Sequence, residues 1–163
     1  MGHDMIFVCM GTQVYQFDRL TKKLDELVGD GTITDEIFAQ IGAAEYLPKN
    51  YEYKKFLNKD EFSKYQEEAD IIISHGGTGA LIGASKLGKN IVAVPRLAKY
   101  HEHVDDHQLQ IVNVLEKEGY VRAVYDIDDL GKIIKEAQSN PITKSYKRES
   151  NIIPIIEHFI DSI

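Results

Sequence analysis

Apolar residues fall into two alternating rhythms along the chain. Short continuous runs of strand length, such as MIFVCM at residues 5–10, are followed by stretches in which apolar positions recur every three or four residues. Phe17, Leu20, Leu24 and Leu27 make the first helical stripe, and the GDG at 29–31 ends it. A second strand is expected over 36–42, and a polar, tyrosine-rich connection then leads to a short third strand at 54–57. A charged helix at 60–68 precedes a fourth strand at 71–74, a helix opened by glycines and a fifth strand at 91–95. After the loop RLAKYHEHVDDHQ, a helix carries Leu109, Val112 and Leu115 on one face, before a strand at 120–125 and a helix at 130–139. Apolar strands separated by helices predict an α/β fold: a Rossmann-like, doubly wound, mostly parallel sheet covered on both faces.

The tail, residues 149–163, departs from this rhythm. Asn151 is placed to cap a last helix whose first turn tolerates Pro154. Ile152, Ile155, Ile156, Phe159, Ile160 and Ile163 give that helix a wide apolar face. It either folds back on its own sheet or docks partly on another chain. The expected organisation is one domain over 5–148 followed by this helix.

Length and charge narrow the picture. A chain of 163 residues that is 43% apolar suffices for one substantial core. A formal charge of −7, from 26 acidic and 19 basic residues, argues against nucleic acid and against direct docking on anionic lipid. The single cysteine, Cys9, excludes a disulfide framework within the chain and suits a reducing cytosol. No run approaches the roughly 20 apolar residues of a membrane span, and MGHDM has no signal-peptide core. Residues 1–4 are expected to be a disordered or added leader before a native start at Met5.

The chemistry concentrates in SHGGTGALIGASKLGKNIVAVPR, residues 74–96. Its glycines fall at a strand-to-helix turn, where unpaired N–H groups and the helix dipole point into the crevice at which such folds bind ligands. Gly76, Gly77 and Gly79 would let the backbone approach a phosphate, with positive φ a further reason for glycine at 77; close packing is the competing explanation. The pattern is neither a Walker A loop nor a dinucleotide fingerprint. Gly11 and Thr12 make a second turn at the same sheet edge, polar-lined or merely tight. His75 is either a packing and capping residue or a group facing the phosphate. HEHVDDH offers His101, His103, Asp105, Asp106 and His107 but lacks the spacing of a helical metal motif; Asp105 and Asp106 are expected to cap the helix that follows, and Gln108 to reach the crevice.

Taken in order, FVCMGTQVYQFDRL, QIGAAEYLPKNYEY, the glycine segment and HEHVDDHQLQ resemble the C-terminal, nucleotide-sugar-binding half of GT-B glycosyltransferases of the MurG type. Within that group the resemblance is to free-standing subunits: the small subunit of the eukaryotic dolichol-pathway N-acetylglucosaminyltransferase, and PssE-type subunits of bacterial exopolysaccharide and capsule synthesis. It implies a cytoplasmic, donor-binding subunit that transfers a sugar from a UDP-sugar to a polyprenyl-linked acceptor. A membrane-associated acceptor-binding partner would recruit it to the inner face of the membrane, and the chemistry would need neither metal nor cofactor. It further implies a diphosphate at His75, Gly76, Gly77, Thr78 and Gly79, and a uracil at the backbone of Phe56 and Leu57. Gln108 would lie near the donor sugar, and Gly11 and Thr12 would face the cleft. The base would be His75 or a group on the partner. Gly83 stands where relatives carry an acidic ribose ligand, and a non-catalytic enhancer of a membrane transferase is the alternative.

Overall fold

The computed structural model describes residues 5–10, 15–102 and 106–142. Six strands form one sheet: β1 (Met5–Cys9), β2 (Glu36–Gln40), β3 (Glu52–Lys54), β4 (Ile71–His75), β5 (Asn90–Val94) and β6 (Arg122–Ala123). Their spatial order is β3-β2-β1-β4-β5-β6, and every pairing is parallel. The helices between them are α1 (Asp18–Gly29), α2 (Lys59–Glu68), α3 (Thr78–Lys86), α4 (His107–Lys117) and α5 (Leu130–Ser139). The doubly wound architecture expected from the alternating pattern is therefore the one observed.

The two-residue period of the strands divides the core. Ile6, Val8, Ile71, Ile73, Val92 and Val94 face one side, where Leu20 and Leu24 of α1 and Leu130, Ile134 and Ala137 of α5 cover them. Phe7, Cys9, Ile72, Ile91 and Ala93 face the other, beneath Leu81 and Ala84 of α3 and Ile111, Val112 and Leu115 of α4. On that second side Phe38 stacks on Tyr65 of α2, their ring centroids 4.1 Å apart. Strands buried on both faces read as unbroken apolar runs for this reason.

Local expectations shift at four places. The third strand lies at Glu52–Lys54 and not at 54–57, because pairing with β2 sets Phe38 opposite Glu52 and Gln40 opposite Lys54, which ends the ladder there. The last strand narrows to Arg122–Ala123. On α4 the buried stripe is Ile111, Val112 and Leu115, with Leu109 only half-buried. Asp106 occupies the N-cap position of α4 without capping it; its carboxylate instead accepts the Ala98 N–H at 2.9 Å, which ties down the 3₁₀ turn Ala98–Tyr100. Asp105 and the tail helix expected at 149–163 lie outside the described residues.

Candidate functional site

In a 3-2-1-4-5-6 order the winding of the sheet reverses between β1 and β4, which run parallel, and the carboxyl ends of those strands flank the crevice where open α/β sheets bind ligands. β4 ends at His75, Gly76 and Gly77 form the turn, and α3 begins at Thr78. Gly77 is the N-cap of α3, contributes no side-chain cap, and is followed by a first turn without an acidic residue. The open amides of that turn thus meet no negative side chain in sequence.

The two described turn glycines each have a steric reason to be glycine. A Cβ on Gly76 would sit 2.5 Å from the Gln108 Cβ, and one on Gly77 would sit 2.2 Å from Cε1 of the His75 ring. The φ of Gly77 is −73°, so the expected positive φ is not what requires glycine there. The ring of His75 does. At this turn Gln108 and the His75 ring fill the space beside Gly76 and Gly77, so packing by itself requires glycine at both positions.

His75 is 5% exposed and Gln108 4% exposed. Gln108, the second residue of α4, accepts the Arg96 N–H through Oε1 at 3.2 Å, while its Nε2 faces His75 Nδ1 at 3.4 Å. Its amide therefore points beneath the turn. His75, Gly76, Gly77 and Gln108 form one packed group, and α3 starts at Thr78.

A buried charge network underlies this group and is not legible in the sequence. Arg96, 1% exposed, donates from Nη1 to the carbonyls of Tyr15 (3.0 Å), Gln16 (3.2 Å) and Glu102 (3.2 Å), and from Nη2 to the Met10 carbonyl. Its guanidinium also lies over the Phe17 ring, 4.9 Å from the centroid. Burial pulls it down to about 10, against the opposing effect of Glu102, so it stays charged at neutral pH. Glu102, also 1% exposed, receives a two-pronged bond from Arg19, with Nε to Oε2 and Nη2 to Oε1 both at 3.0 Å, plus the Leu97 N–H at 3.0 Å. Arg19 reaches the Pro95 carbonyl as well, at 3.2 Å. The exits of β1 and β5 are thereby pinned to each other beneath the crevice. Only the position of Arg96 after an apolar strand hints at this, and a lone arginine there reads equally well as solvent-exposed.

The remaining site candidates have different surroundings. Gly11 and Thr12 lie outside the described residues; Met10 just before them bonds through its N–H to the Gln40 carbonyl at 3.0 Å. Phe56 is 55% exposed, and the Leu57 N–H is donated to Gln40 Oε1 at 2.9 Å, so β2 holds the segment that follows β3. Gly83 has room above it: the nearest atom that a Cβ there would meet is Gln66 Nε2, at 3.5 Å. An open depression of about 540 Å³ lies on the α1 side, rimmed by Asp18, Lys22, Glu45 and His101. Among the described residues, no group of three or more His, Cys, Asp or Glu is placed to hold a metal ion, and no helix is long and apolar enough to cross a membrane. His103 and Asp105 are not among those residues.

The family model of the glycosyltransferase family 28 C-terminal domain matches residues 5–160. Among curated proteins, the UDP-N-acetylglucosamine transferase subunit ALG13 of Candida albicans is 28% identical over 98 residues, covering 60% of this chain and 32% of that protein. The human ALG13 subunit is 30% identical over 94 residues, covering 58% of this chain and 7% of its own length. The chain thus spans a third or less of these relatives. Among solved structures, the solution structure of ALG13 superposes with a TM-score of 0.60 at 17% identity, covering 96% of this chain and 94% of that one. MurG of Acinetobacter baumannii superposes at 0.64 and 16% identity, covering 99% of this chain and 51% of that one. The fold is that of the C-terminal half of GT-B enzymes, and the chain belongs to the glycosyltransferase family 28 C-terminal domain family.

Proposed function

We propose that this chain is the donor-binding subunit of a two-component inverting glycosyltransferase. A UDP-sugar lies with its diphosphate against Gly76, Gly77, Thr78 and Gly79, the uracil near the main chain of Phe56 and Leu57, and Gly11 and Thr12 across the crevice. The sugar passes to a polyprenyl-linked acceptor held by a membrane-associated partner, in bacterial exopolysaccharide or capsule synthesis. The observation that carries this reading is the uncapped, acid-free start of α3 at the carboxyl end of β4, beside the point where the winding order of the sheet switches. As the glycosidic bond breaks, charge grows on the departing diphosphate, and amides already aimed at it stabilise that charge without a metal. The word "subunit" in the names of the ALG13 relatives supports a second chain as the opposing wall.

A second reading, a non-catalytic enhancer that stabilises a membrane transferase, is favoured by the packing that alone accounts for Gly76 and Gly77. Titration with UDP while following backbone amides by NMR separates the two. The donor reading requires shifts centred on residues 76–79; an unmoved turn, or shifts elsewhere, rejects it. Co-expression with the candidate partner and assay against a panel of UDP-sugars then identifies the donor.

A further inference from the structure

We propose that the open depression beside α1 is a binding site for a neutral sugar ring, separate from the glycine turn and independent of whether that turn binds nucleotide. Lys22, Glu45 and His101 are the side chains that would hold the sugar.

The depression is built from three segments, each of which follows the carboxyl end of a strand. Asp18 and Lys22 come from the start of α1 after β1, Glu45 from the connection after β2, and His101 from the turn after β5. These segments are tied to one another. Asp18 Oδ1 accepts the N–H groups of Glu45 at 3.0 Å and Tyr46 at 3.1 Å, which holds the β2 connection against α1. Gln16 accepts the Asp18 N–H through Oε1 at 2.7 Å and donates from Nε2 to the Tyr100 carbonyl at 3.1 Å, so the turn after β5 is held against the same helix start. Arg19 secures that turn again, through its bonds to Glu102 and by lying 4.8 Å from the centroid of the Tyr100 ring. A concavity of about 540 Å³ whose walls are fixed in this way has the size and the pre-formed character of a small-molecule site.

The walls leave over side chains that the fold does not use. Among the described residues, the Glu45 and His101 side chains enter no ion pair or hydrogen bond, and Lys22 only approaches the Tyr46 ring, 5.7 Å from its centroid. His101 is also the one non-glycine residue among them with a positive φ, 58°, a backbone region sparsely occupied by residues that carry a Cβ. Backbone held in such regions concentrates at ligand sites.

The chemistry of the rim selects the ligand. The carboxylates of Asp18 and Glu45 only accept hydrogen bonds, the Lys22 ammonium only donates, and the His101 imidazole can do either. A phosphate or carboxylate would meet two like charges here, and a cation would meet the ammonium. A sugar hydroxyl carries no charge and both donates and accepts, so neighbouring hydroxyls of one ring can give to Glu45 and receive from Lys22. Bonds in which one partner is ionised are the stronger kind, and here both signs are available to an uncharged ligand.

The test is titration of the ¹⁵N-labelled full chain with methyl glucoside, methyl galactoside, methyl mannoside and N-acetylglucosamine, without nucleotide, followed by backbone amide NMR. At least one sugar should shift the amides of residues 15–22, 43–46 and 101 saturably and leave residues 76–79 in place. Lys22→Ala and Glu45→Ala, both at exposed positions, should each weaken that binding about tenfold. His101→Gly, which adopts the same backbone freely, should weaken it severalfold. No saturable shift at the rim with any of the four sugars, unchanged affinity in either alanine variant, or rim shifts with inorganic phosphate in place of the sugars would overturn the proposal. UDP-sugars supply a further arm: one that shifts the rim where UDP does not would assign the depression to the donor's own sugar and overturn a separate site. Because the free sugars are tested without nucleotide, failure here is distinct from failure of the UDP titration, which tests donor binding.

Discussion

Gly77 and His75 compete for the same space. Replacing Gly77 with alanine forces the His75 ring or the α3 terminus to move, which at typical overpacking costs destabilises by about 1–3 kcal/mol. Removing the ring in a Gly77→Ala, His75→Ala double variant should recover at least about 1 kcal/mol relative to the sum of the single changes, read as a double-mutant cycle in urea. Additive effects would show that the ring does not fill the site. Asp25 is a second residue whose surroundings decide its behaviour. It lies on the apolar stripe of α1, 3% exposed, and accepts the Tyr46 hydroxyl at 2.6 Å together with the N–H groups of Lys49 and Asn50. Burial pushes its carboxyl up, but the hydrogen bonds from Tyr46, Lys49 and Asn50 together outweigh that and hold it below the ordinary value. A carboxyl depressed in the fold contributes stability that is complete above its unfolded value near 3.9 and is lost as pH falls through its native one. Asp25→Asn should therefore cost about 2 kcal/mol at pH 7, with the gap between urea midpoints closing below about pH 4. A gap that persisted unchanged to pH 3 would count against this account. None of these partners of Asp25 is visible in the sequence, because Tyr46, Lys49 and Asn50 meet it only after a strand intervenes, whereas the glycine turn is legible from its immediate neighbours.

Elements that carry their own signals are legible in the sequence. Asn58 at the start of α2 accepts the Glu61 N–H at 2.8 Å and donates its own N–H to the Glu61 carboxylate at 3.3 Å, a reciprocal cap written within four residues. The third strand falls two residues earlier than its composition suggests, because its bounds depend on register with β2, which no local pattern encodes. Gly76 and Gln108 show the same limit. The fold class brings their elements to one edge of the sheet, but that α4 packs its second residue directly on the turn is a tertiary fact. The exits of β1 and β5 are joined by buried charge as well as by apolar packing of Met10 and Phe17, and the charged part depends on Glu102. Glu102→Gln leaves the Arg19 charge with a weaker acceptor and removes the negative charge near buried Arg96, and should destabilise by about 3 kcal/mol, measured by thermal unfolding. A loss under about 0.5 kcal/mol would mean that the loops stand without this pair.

At the scale of the whole molecule, the described residues build one wall of a crevice. Amides that face open water bind phosphate weakly, because the surrounding dielectric mutes their dipoles. On the proposed two-component reading, the isolated chain is therefore expected to bind UDP weakly and to show no transfer until a membrane-associated partner is supplied, with activity of the pair unaffected by chelator. Transfer by the purified chain alone would remove the need for a partner, and loss in chelator restored by one divalent ion would restore a metal to the chemistry. The margins of the sheet have a consequence of a different kind. β3 spans three residues, with Glu52 and Lys54 exposed, and β6 spans only two. A strand that short offers a foreign segment few main-chain groups to pair with, and charged side chains along it repel a flat neighbour. The sheet thus resists growing by recruitment of further strands into fibrillar stacks. Substituting valine at both Glu52 and Lys54 should raise light scattering during prolonged warm incubation, while a solution that stayed clear would place the resistance elsewhere than at this margin.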